Sequence, residues 1–96
     1  MKTREANYGI GKEEAESLRK YCQSATIEEQ QILFQYSYQS NKQIYPDIFY
    51  SLVNGLSYDK LMKARYIPMN RNDFYGYQRK CLMMFREHLV SEHKWE

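Results

Sequence analysis

Apolar positions along this chain recur at spacings of three and four, the period of helices buried along one side. From Lys12 onward, Ala15, Leu18 and Cys22 form such a stripe. Glu13, Glu14 and Glu16 occupy its opening turn, where the helix dipole favours anions. Gln23-Ser24-Ala25 breaks the pattern, and Thr26-Ile27-Glu28-Glu29 reads as a capping box. The second helix carries Ile32, Leu33 and Tyr36 on one stripe and Phe34 and Tyr38 on an adjacent one, ending near Ser40-Asn41. Pro46 suits the first helical position of a third segment, whose apolar face is Ile48, Phe49, Leu52 and Val53. Asn54-Gly55 closes it, because glycine takes up the left-handed cap without penalty. Ser57 caps a fourth helix running to about Tyr66, and Pro68 forces a turn. Asn70 then caps the last and longest helix, in which Phe74, Tyr77, Cys81, Met84, Phe85 and His88 keep the helical spacing to about Leu89.

No segment alternates polar and apolar residues for long enough to suggest a strand, and 96 residues hold one domain. The expected fold is therefore all-α: a compact bundle of about five helices containing a helix-turn-helix and ending in a long C-terminal helix. Residues 1–11 carry two glycines and no helical period, and read as a flexible N-terminal arm. Residues 12–96 form the helical domain, with the helix-turn-helix at about 57–90.

Composition sharpens this picture. Mean hydropathy is low, at −0.83, yet aromatics reach 16% because ten residues are tyrosine. That argues against a disordered chain and implies a small core completed by ring faces. No apolar run approaches the roughly 18 residues of a membrane span, and the start of the chain is polar. A cytoplasmic protein with no membrane partner is expected. Cys22 and Cys81 are expected to be reduced and partly buried.

Charge is uneven. Residues 57–80 hold Lys60, Lys63, Arg65, Arg71, Arg79 and Lys80 against Asp59 and Asp73, whereas the flanking stretches are each net −1. The excess positive charge thus falls in the window of the fourth and fifth helices, where a phosphate backbone would be drawn. On a helical wheel starting from Phe74, the face opposite the apolar stripe carries Asn72, Tyr75, Gly76, Arg79, Lys80 and Arg86. Arginine forks onto guanine, asparagine pairs with adenine, and tyrosine donates to phosphate. Gly76 costs about 1 kcal/mol inside a helix. Close approach either to DNA or to another helix would offset that.

The stretch Gly55-Leu56-Ser57-Tyr58-Asp59-Lys60-Leu61, through Ile67-Pro68 and Phe74-Tyr75 to Arg79-Lys80, resembles the helix-turn-helix of sigma-factor region 4. It is more similar still to small regulators of that type from phages and mobile elements of Gram-positive bacteria. The resemblance covers about 26 residues; Tyr66 stands where the turn glycine is usual, and the turn is about two residues longer. It implies a transcriptional regulator that binds double-stranded DNA. Arg71, Asn72, Tyr75 and Arg79 would read bases, and Lys60, Lys63, Arg65, Asn70 and Lys80 would contact phosphates.

Other chemistries lack their residues. Cys81, His88 and His93 are spaced seven and five apart, where a helix face brings together spacings of three or four, so one zinc ion does not easily take all three, and no phosphate loop or nucleophile elbow is present. No enzyme activity, metal or cofactor is expected. The near-neutral, tyrosine-rich first half supports an alternative, a helical protein-interaction module such as an adaptor, anti-repressor or inhibitor without direct DNA binding. Rings beyond the needs of the core would also suit a homodimer reading two half-sites.

Overall fold

A computed structural model describes residues 9–95. Five helices follow one another: α1 (Lys12–Gln23), α2 (Ile27–Ser40), α3 (Tyr45–Asn54), α4 (Tyr58–Ala64) and α5 (Arg71–Ser91). No strand occurs among the described residues, so the fold is an all-α bundle.

The ends of these helices follow from their caps. Thr26 Oγ1 accepts from the amide of Glu29 at 3.1 Å, and the Glu29 carboxylate accepts from the amide of Thr26 at 2.9 Å, which satisfies two otherwise orphaned donors. Ser57 and Asn70 accept from Lys60 N–H and Asp73 N–H in the same way. Gly55 ends α3 at φ +66°, and a Cβ there would also lie 2.8 Å from the Gln23 side chain. The positive φ is what calls for glycine, since the exposed Gln23 side chain is free to swing aside.

Helix α2 packs on both α3 and α5, and α1 packs on the same two, so α3 and α5 hold the two layers together. The core comprises Ala15, Leu18 and Cys22 from α1, Leu33 from α2, Ile48 and Leu52 from α3, and Phe74, Cys81, Leu82, Phe85 and Leu89 from α5. Ile44, Ile67 and Ile10 close it from the loops. Ile10 is wholly buried, and residues 1–8 of the expected arm lie outside the described residues. An isoleucine next to α1 has more to gain from the core than from solvent, although it lacks a helical neighbour to reveal it. Beyond α5 the chain turns back: Lys94 pairs with Glu29 at 3.1 Å and Trp95 Nε1 donates to Glu14 at 3.0 Å.

Helix α5 is rotated from its expected orientation. Gln78, Leu82 and Leu89 are buried beside Phe74, Cys81 and Phe85, whereas Tyr77, Met84 and His88 are only half-buried. The cause is Gln78. Its polarity marks it as an outward residue, but it is 1% exposed because both ends of its amide are satisfied inside the protein.

Candidate nucleic-acid interface

Helices α4 and α5 are joined through Arg65–Asn70 by a set of contacts around Tyr58. The Tyr58 hydroxyl donates to Met69 O at 2.5 Å, its ring lies 5.5 Å from that of Phe74, and its amide donates to the Tyr75 hydroxyl at 3.0 Å. One residue on, Asp59 meets Arg71 at 2.5 Å, so the first turn of α4 sits beside the first turn of α5. Ile67 plugs the core beneath, while Tyr66 is 77% exposed.

The expected phosphate ligands divide into two groups. Lys60 and Lys63 are exposed on α4, and neither side chain has a partner among the described residues. Arg65 and Asn70 are already committed. Arg65 Nε lies 3.3 Å from Asp47 Oδ1, within ion-pair reach although not in hydrogen-bond geometry. Burial pushes the Asp47 carboxyl upward and the guanidinium draws it back, so Arg65 serves a buried carboxylate. The Asn70 side-chain oxygen caps α5 through Asp73 N–H. Lys80 is half-buried.

The expected base readers divide in the same way. Asn72 is exposed, and its side chain has no hydrogen-bond partner among the described residues. Arg71 is exposed; its hydrogen bond to Asp59 raises its pKa, and its guanidinium lies 5.9 Å from the Tyr58 ring centroid. Both partners of the Arg71–Asp59 pair are more than half exposed, so water and salt screen it.

Tyr75 and Arg79 do not face outward as expected. The Tyr75 hydroxyl is taken by Tyr58, and Arg79 Nη1 donates to Ile10 O at 3.3 Å. Further along the same face, Arg86 pairs with Glu14 at 3.1 Å and donates to Gly9 O at 3.4 Å. This face of α5 thus lies against α1 and the residues before it.

The rotation of α5 also exposes a residue the sequence did not single out. Arg19 of α1 donates from Nε to Gln78 Oε1 at 2.6 Å, and its guanidinium lies 5.7 Å from the Tyr75 ring centroid. Burial lowers its pKa, and the neighbouring Arg79 lowers it further. A like-charged pair across α1 and α5 has no local sequence signal, since the two residues lie far apart along the chain. Neither a protein-family model, nor a curated protein, nor a solved structure matches this chain.

Proposed function

We propose that this protein binds double-stranded DNA as a small transcriptional regulator, through α4 and the opening turn of α5. The observation that carries this reading is the set of exposed side chains around the Asp59–Arg71 contact: Lys60, Lys63, Arg71 and Asn72. Two lysines on one short helix suit phosphates, while an asparagine and an arginine beginning the next suit base edges. Arg71 can leave a screened surface pair for a guanine at little cost. Asn70 and Asp73 fix the start of the reading helix, and Tyr58 fixes its distance from α4. The footprint is thus smaller than the resemblance to region-4 regulators implies, because Tyr75 and Arg79 are engaged internally.

The test is duplex selection followed by anisotropy titration. Asn72→Ala and Arg71→Ala should each weaken the selected site by about 1–3 kcal/mol and leave random duplex almost unaffected. Lys60→Ala with Lys63→Ala should weaken all duplexes and lower the salt slope by about 2. Undiminished binding after all four changes would overturn the reading.

A second reading, a helical protein-interaction module without direct DNA binding, is favoured by the half-exposed rings of α2 and α3. Salt-independent co-purification of a partner, with no retention on duplex at low salt, would favour it over the first.

A further inference from the structure

Away from α4 and α5, the rings of Tyr38, Tyr45, Phe34, Phe49 and Tyr50 run edge to face in an unbroken row, with neighbouring centroids 5.2–5.8 Å apart. Phe34, Tyr38 and Tyr50 are each nearly half exposed, and Ile27 continues the apolar surface at 73% exposure. Helix α2 is therefore apolar around more of its circumference than one core requires. Its inner side presents Leu33, Ser37 and Ser40 to the bundle, and the row of rings begins on the other side.

The charges on that outer side are confined to its two ends. Glu28 is exposed in the first turn of α2, and Lys42, just past the helix, holds its ammonium 5.9 Å from the Tyr38 ring centroid. Between them the exposed polar residues are Gln31, Gln35 and Gln39, all neutral. Neither Glu28 nor Lys42 has an ion-pair partner among the described residues.

We infer that this face is covered by a second copy of the chain, the two α2 helices running antiparallel about a twofold axis near Gln35. A twofold contact is self-complementary: if one residue meets a second across it, the second meets the first. Glu28 lies in the first turn of α2, and Lys42 follows its end at Ser40, its ammonium folded back toward Tyr38, so the two charges mark opposite ends of the face about Gln35. Antiparallel α2 helices would therefore bring Glu28 of each copy to Lys42 of the other, twice, with the glutamines and rings between. A parallel arrangement would set like charges together. Interfaces favour this composition, with neutral side chains and rings inside and charges at the rim. The inference goes beyond the DNA reading and does not depend on it.

Sedimentation equilibrium on the full chain tests it. Wild-type protein should dimerise in a concentration-dependent way. Glu28→Lys and Lys42→Glu should each weaken association by about tenfold, since each reversal acts at two symmetric pairs. The double variant should recover most of the loss, because the reversed charges attract again. Gln35→Lys should weaken it as well, by bringing two ammonium groups together at the axis, and its exposed position leaves the fold intact by circular dichroism. A monomer up to about 1 mM would overturn the inference. So would a dimer indifferent to the single reversals, or a double variant as weak as the singles.

Discussion

Gln78 of α5 donates to the hydroxyl of Ser51 of α3 at 2.9 Å, inside the core. Ser51 donates onward to Leu56 O at 2.6 Å, and Gln78 accepts from Arg19 at 2.6 Å. A single amide thus ties α1, α3 and α5 to the segment that leads into α4. Buried polar groups are affordable only when satisfied, and here each bond satisfies the next.

Truncating that amide should cost more than its methylenes. Gln78→Ala leaves Arg19 Nε without its acceptor and opens a cavity, and should lower unfolding free energy by about 2–3 kcal/mol. Urea denaturation measures it. A midpoint within error of wild type would mean that the network contributes nothing net.

The same residue explains what the sequence revealed and what it hid. Helix ends were legible because caps are local: Thr26 with Glu29, Ser57, Asn70 and Gly55 all act within a few residues. The stripe of α1 was legible because Ala15, Leu18 and Cys22 keep the helical spacing among mostly polar and charged neighbours. The orientation of α5 was not, because periodicity ranks side chains by polarity and cannot see a glutamine satisfied by partners 27 and 59 residues away. An error there displaced Tyr75 and Arg79 from a packed groove to an open face. Arg19 was hidden for the same reason, its neighbours being tertiary.

Glu29 links stability to pH. Burial alone would push its pKa upward, but the Thr26 amide, the Tyr21 hydroxyl and the Lys94 ammonium outweigh it and hold the carboxylate at about 2. A depressed native value means that the unfolded chain binds the proton more tightly. The contribution, on the order of 2 kcal/mol after allowing for a half-exposed Lys94, is present above the ordinary carboxylate range and lost as pH falls from about 4.5 toward 2. Glu29→Gln keeps an acceptor for the cap but should flatten stability over that window. Chemical denaturation at stepped pH checks this, and an unchanged pH profile in the variant would contradict it.

Cys22 and Cys81 are both free and buried. Burial is the leading cause that pushes both thiols upward, Cys81 to about 12, so almost no thiolate exists at neutral pH. Reaction with a thiol reagent should therefore proceed only through unfolding. The labelling rate should match the global unfolding equilibrium and rise steeply in urea. Rapid labelling of the native protein would mean that α1 opens from α5 locally.

The division of the α5 face between packing and recognition makes opposite demands on two neighbouring residues. Arg79 is half-buried and spends a donor on Ile10 O, so Arg79→Ala should cost about 0.5–1.5 kcal/mol of stability. Its effect on duplex affinity should stay below about threefold, well under that of losing a direct base contact. The Asn72 side chain is exposed and has no hydrogen-bond partner among the described residues, so Asn72→Ala should leave the unfolding midpoint nearly unchanged. By the same reasoning it should weaken binding to a selected duplex by about tenfold or more. Measuring stability and affinity on both variants separates the two roles. The reverse pattern, with Arg79 governing affinity and Asn72 silent, would mean that Ile10 leaves α5 when DNA arrives. The reading surface would then lie along the middle of the helix.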